Sequence, residues 1–190
     1  VRDNQWQFTG DFGMDVLEVF LYSLAGIAVL NVARIVVDKL VLYKFDTKKE
    51  IIDEQNAGSA AVEFGVYVAV GLVIAASTAG TGGGGDVAAE ASTADTVLRS
   101  LAFLGLGMVV LILYGVFYQR TTVYDIHEEI EKNNVAVGVA LGGNLIAIGV
   151  VVFKAVFGEF VGWEESLAAF LTFAVIGFAL LFVVRRLVDL

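Results

Sequence analysis

Glu50-Ile51-Ile52-Asp53-Glu54-Gln55-Asn56 runs straight into an apolar, small-residue stretch from Ala57 to Ala76. The chain then repeats the move: Glu128-Glu129-Ile130-Glu131-Lys132-Asn133-Asn134 runs into Val135 to Val156. A shift of 78 residues carries Asn56 onto Asn134, Ile52 onto Ile130, Asp53 onto Glu131, Gly65 onto Gly143 and Gly71 onto Gly149. An acidic, helix-compatible segment, an Asn and a glycine-bearing apolar run, used twice, form an internal repeat.

Composition says what medium the repeat is built for. Hydrophobic residues make up 58% of the chain and charged ones 17%, against about a quarter charged in a soluble domain. Several runs exceed the roughly 18 apolar residues that mark a spanning helix. Backbone amides cannot face lipid unpaired, and runs of this length fit helices rather than ten-residue barrel strands. The expected fold is an all-α, polytopic membrane helix bundle with the lipid bilayer as its first partner.

The same composition excludes several chemistries. There is no Cys, so there is no disulfide, iron–sulfur cluster or thiol chemistry. His127 is the only His, so bis-His haem ligation within this chain is excluded. With no Pro, only glycine could break a span of the kind transporters use. No cofactor is expected. Val1 follows no basic n-region or cleavable signal pattern, which reads as a processed start.

Five spans are expected. Residues 1–15, with Trp6, Phe8 and Phe12, read as an external segment anchored at headgroup depth. The first two-helix repeat occupies 16–79, with helices from about Val16 to Val41 and Ala57 to Ala79. Residues 80–95 form an acidic loop containing Gly82 to Gly85. No Gly-Lys-Ser/Thr follows that run, so it is a linker and not a phosphate loop. The second repeat occupies 96–157, with helices from about Thr96 to Tyr118 and Asn134 to Phe157. Residues 158–190 hold a short turn and a fifth helix from about Ser166. Gly177 aligns on Gly26, Arg185 on Arg34 and Asp189 on Asp38. The fifth helix therefore reads as the start of a third copy, and the native chain is expected to continue past Leu190 or to lean on another subunit.

Lys and Arg set the orientation. Three (Arg2, Arg99, Lys154) lie on the side of the N-terminus and the glycine loop; nine lie on the side of the two junctions and the C-terminus. The N-terminus is expected outside, and the junctions and the C-terminus inside.

Few residues could carry chemistry. Glu63 is the one carboxylate well inside a span, about 9 Å from its start at 1.5 Å per residue. Arg34 lies at a similar depth on the preceding helix. An intramembrane ionisable residue is a functional candidate; a structural ion pair clamping the hairpin is the plainer reading, because the second copy has Leu141 where Glu63 stands. Asn31 and Asn144 lie near mid-membrane, where Asn bonds between helices or lines a polar path. Ala61, Gly65 and Ala69, and Gly138, Gly142 and Gly143, form small-residue faces that let helices pack closely. His127 sits among acids in a solvated segment, which is weak ground for a metal site. No catalytic residue, metal site or nucleic-acid patch emerges.

The duplicated motif resembles the YjfL-like family of bacterial inner-membrane proteins, a domain of unknown function (DUF350). The matching residues are Glu50, Ile52, Asn56 and Gly65 in the first copy, and Glu128, Ile130, Asn134, Ala136 and Gly143 in the second. Gly58 stands where the pattern has Ala. The resemblance implies tandem two-helix repeats in the inner membrane and brings no catalytic residues. Two functions are consistent with these features: a non-enzymatic structural or accessory subunit of a membrane assembly, as a homo-oligomer or with other membrane subunits, or a small ion or proton conduit along Asn31, Arg34, Glu63 and Asn144.

Overall fold

The computed structural model describes residues 12–41, 46–79, 93–157 and 160–188. The anchoring residues Trp6 and Phe8, the glycine loop and the chain end at Asp189 lie outside that set. Seven helices occur among the described residues: α1 (Phe12–Val41), α2 (Thr47–Ile52), α3 (Ala57–Ala79), α4 (Thr93–Thr121), α5 (Ile126–Glu131), α6 (Val135–Val156) and α7 (Trp163–Val188). α1 starts at Phe12, inside the segment expected to be external, and α4 extends the expected helix by three residues at each end. Trp163 opens α7 instead of lying in the turn before it.

The repeat is visible as a three-helix unit: a long helix, a one-turn helix, then a glycine-bearing span. α1-α2-α3 is the first copy and α4-α5-α6 the second. Short polar side chains start four of these helices, because the first amides of a helix have no partner within it. Asp46 accepts from the Lys49 amide at the start of α2. Asp125 accepts from the His127 and Glu128 amides at the start of α5. Asn56 accepts from the Ser59 amide, and Asn134 from the Val137 amide.

These caps correct the repeat register. Asp46 and Asp125 are 79 residues apart, as are α2 and α5, while Asn56 and Asn134 are 78 apart. The first junction therefore carries one extra residue between its short helix and its Asn. Glu50 corresponds to Glu129, not Glu128, and Ile51 to Ile130, not Ile52. Burial agrees: Ile130 is fully buried, while Ile52 is 63% exposed. A residue with positive φ precedes each Asn, Gln55 (φ 51°) in one copy and Asn133 (φ 59°) in the other. This left-handed step ends the short helix and turns the chain into the span.

α3 and α6 form the centre. Gly58 meets Gly138, Gly65 meets Gly142, and Ala69 meets Gly149. The partner's number rises with the residue's own, so the two helices run parallel. A Cβ on Gly142 would stand 2.6 Å from the Ala61 carbonyl oxygen, and one on Gly149 would stand 2.9 Å from Ala69 Cα. Such approach is open only to residues without side chains at the contact. Val62, Val66, Val73, Leu141, Leu145 and Ile148 fill the space beside the seam. Around this pair, α1 lies against α3 and α4, α4 against α3 and α6, and α7 against α6.

The outward faces are apolar. Phe20, Val32, Leu101, Leu113, Leu171 and Leu180 are all exposed. In water this would be an aggregation surface; on helices of this length it is a surface for lipid. Ala57–Thr78, Ala94–Thr121, Val135–Val156 and Trp163–Val184 are long and apolar enough to cross a membrane. α1 contributes a shorter apolar stretch, Gly26–Val37, among the described residues.

Candidate functional site

The polar residues gather at two places: the pair of junctions at one end of the bundle, and a few positions within the spans. At the junctions the two Asn residues do more than cap. Asn56 Nδ2 donates to Glu50 Oε2 at 2.9 Å and to the Ile130 carbonyl at 2.7 Å. The second of these bonds crosses from the first copy to the second. Beside it, the Gly58 amide donates to Asn133 Oδ1 at 3.2 Å. Asn134 Nδ2 stays within its own copy and donates to Glu129 Oε2 at 2.9 Å. The start of α3 is thus tied to the end of α5, and Ile126, His127 and Ile130 are buried beneath it.

Charges organise the surface of the same end. Lys132 Nζ lies 2.7 Å from Glu128 Oε1 and 3.3 Å from Glu129 Oε1. Both carboxylates raise the Lys132 pKa. Donation from Asn134, then the Lys132 ammonium, hold the Glu129 carboxyl below the usual range. Glu54, 3.1 Å from Lys49 Nζ, raises the Lys49 pKa in the first junction. His127 Nδ1 lies 3.6 Å from Asp125 Oδ1. Among the described residues no three His, Cys, Asp or Glu side chains converge as a metal site would require.

Within the spans, Arg34 of α1 pairs through Nε with the Glu63 carboxylate of α3. The Arg34 guanidinium carbon also sits 5.3 Å from the centre of the Tyr67 ring, one turn beyond Glu63. Asn144 Oδ1 accepts from the Tyr114 hydroxyl of α4 at 3.1 Å, and its Nδ2 donates to the Ala140 carbonyl at 2.7 Å. Tyr114 is buried and meets Phe178 of α7 edge-on at 5.2 Å. Three helices therefore converge on Tyr114, a residue the sequence pattern does not single out. Among the described residues Asn31 bonds to no neighbouring helix: its Nδ2 donates to the Ile27 carbonyl of its own helix, at 2.8 Å, on an exposed face. Among the small residues, Gly65, Gly138 and Gly142 line the seam, and Gly143 faces open space. Asn31, the Arg34–Glu63 pair and Asn144 lie on separate helix faces and do not converge into one site.

At the opposite end, Arg99 is buried. Its guanidinium carbon lies 4.0 Å from the Phe160 ring centre and its Nη2 lies 3.2 Å from Asp95 Oδ2. Cation–π contact and an acid one turn away keep this charge inside the bundle. In the sequence Arg99 stands out only as one of the basic residues, at a helix end, that set the orientation.

The model of one family, the Domain of Unknown Function DUF350, matches residues 7–78 and, again, residues 92–190. The chain belongs to the DUF350 family. Each matched segment contains one three-helix unit, and the second also takes in α7. The chain is 30% identical over 125 residues to a UPF0719 transmembrane protein of Aquifex aeolicus (strain VF5). That alignment covers 66% of this chain and 43% of the relative, so the chain spans under half the length of the curated protein it matches. No solved structure matches it. The family, the transmembrane relative and four apolar helices of spanning length make this DUF350 chain a multi-pass membrane protein.

Proposed function

We propose that this DUF350 protein is a non-enzymatic subunit of a membrane assembly, either a homo-oligomer or a complex with other membrane proteins. It acts by packing and not by chemistry. One observation carries this reading: four polar groups inside the spans are engaged in contacts between helices that hold the bundle together. Arg34 and Glu63 link α1 to α3, and Asn144 and Tyr114 link α6 to α4. We also propose five spans, in the cell inner membrane. α1 is 30 residues long, about 45 Å as a helix, enough to cross a bilayer. The basic residues cluster at the junction end, which supports junctions and C-terminus in the cytoplasm and the N-terminus outside.

A conduit is the second reading, favoured by one feature: the Arg34 side chain, 26% exposed, reaches Glu63 from the bundle surface. Glu63→Gln separates the two. For a packing subunit, the variant loses about 2 kcal/mol of stability, less than a fully buried pair because Arg34 is part-exposed, and its assembly dissociates earlier on heating. For a conduit, liposome flux falls while the assembly survives. Extraction from the native membrane in mild detergent, with mass and composition of the particle measured, then reads the partners. A fixed ratio with other proteins supports an accessory subunit; a ring of this chain alone that passes ions overturns the packing reading.

A further inference from the structure

α1 lies directly against α4. α7, which reads as the same helix of a third copy, treats α4 differently. It reaches α4 through aromatic side chains: Phe178 on Phe117 at 4.8 Å between ring centres, and Phe182 on Phe117 at 5.7 Å. The backbones stand apart and a groove of about 710 Å³ opens between them. Val110, Leu113 and Phe117 form one wall, Leu171, Val175 and Phe178 the other.

At the junction end this groove meets a second cavity of about 630 Å³, set between α4, α6 and α7. Thr121 and Arg186 line both. The second cavity is polar where the first is apolar: Tyr118, Thr122, Tyr124 and Asn144 contribute to it. Among the described residues, Arg186 is the one charged residue in either lining, and no carboxylate accompanies it. Its guanidinium carbon sits 5.4 Å from the Phe182 ring, on an exposed side chain at the end of α7. The Thr121 and Thr122 hydroxyls donate to backbone carbonyls of α4, so toward the cavity their oxygens are acceptors. Both volumes fall in the range of built ligand pockets, about 300–1,000 Å³.

We propose that this two-part cleft binds one anionic glycerophospholipid of the junction-side leaflet, with an acyl chain in the α4–α7 groove and the phosphate against Arg186. Arg186 supplies charge complementarity, the apolar groove takes the chain, and the hydroxyl oxygens face the polar headgroup. The lipid would fill, for α7, the contact that α1 makes directly with α4.

The test is native mass spectrometry of the full chain, delipidated in detergent and titrated with phosphatidylglycerol or with phosphatidylcholine of the same acyl chains. The expected result is one tightly retained lipid, with phosphatidylglycerol preferred about fivefold, the preference that one basic residue at a membrane surface confers. Arg186→Gln, at an exposed helix end, should bring that preference close to one while helix content by circular dichroism stays unchanged. Ala179→Trp fills the groove and should weaken both lipids. Equal retention of the two lipids by the native chain, or an undiminished preference in Arg186→Gln, overturns the proposal. So does a lipid-free dimer that Ala179→Trp dissociates, which would give the groove to a second copy of this chain.

Discussion

The two junctions share a design and live in different surroundings. Each has an Asp-capped short helix, a left-handed residue, an Asn and a span. The second junction lies under the start of α3, with Ile126, His127 and Ile130 buried. The first lies at the edge, where Ile52 is exposed and Ile51 half-buried. The crossing bonds run one way, from Asn56 and Gly58 of the first copy to Ile130 and Asn133 of the second. A duplicated unit whose parallel central spans touch cannot place both junctions beneath the same contact. One copy becomes the floor and the other rests on it. The extra residue in the first junction falls among Asp53, Glu54 and Gln55, all of them exposed.

The sharpest break of this asymmetry is a pair of truncations. Ile130→Ala removes a fully buried side chain and should destabilise by about 3 kcal/mol, within the range for core Ile→Ala. Ile51→Ala, its structural counterpart, should lose about 1 kcal/mol because the site is half-open. Thermal unfolding in detergent micelles reads both. Equal losses would mean that the junctions are equivalent and that the floor is not the second copy.

The Asn residues give the next contrast. Asn56→Ala removes a cap, takes from the Ile130 carbonyl one donor while the Asn133 amide stays on it, and cuts a bond between copies; about 2 kcal/mol is expected. Asn134→Ala removes a cap and a bond to a part-exposed carboxylate, for about 1 kcal/mol. The first variant should also raise hydrogen exchange at the start of α3 and the end of α5 together. If exchange rises at α3 alone, the crossing bond does not couple the copies.

Much of this organisation can be read from residue types. The spans follow from runs such as Val135 to Val156, and the repeat from Asn56 and Asn134 with their glycine-bearing helices. Counting depth along two helices sets Arg34 opposite Glu63, and their side chains pair. The junction register is harder. Ile51 and Ile52 are identical to any pattern, and only burial shows which one answers to Ile130. Asn31 and Asn144 look alike in sequence, yet one bonds back to its own helix and the other to Tyr114. What separates them is the neighbour across the interface, and no local pattern in an apolar helix names that neighbour. The cleft between α4 and α7 is hidden for the same reason: it arises from how far apart two helices stand.

The smallest effect tests the electrostatics of the floor. Glu129 is held below the ordinary glutamate value of about 4.5 by donation from Asn134 first and by Lys132 second. A carboxyl whose pKa is lower folded than unfolded stabilises the fold fully above the unfolded value, and that contribution is lost as pH falls through the folded one. The second junction should therefore loosen only on acidification below about pH 4.5. Carboxyl ¹³C NMR of Glu129 should give a midpoint below that of free glutamate, and Asn134→Leu and Lys132→Gln should each move it back up. Salt divides the two contributions. The Asn134 donor is neutral and at bonding distance, so its part should persist at 1 M salt, where the Debye length shrinks to about 3 Å; the exposed Lys132 pair should fade. A midpoint that returns fully to the free value in salt would show that Lys132 alone sets it, and that Asn134 acts in this junction only as a helix cap.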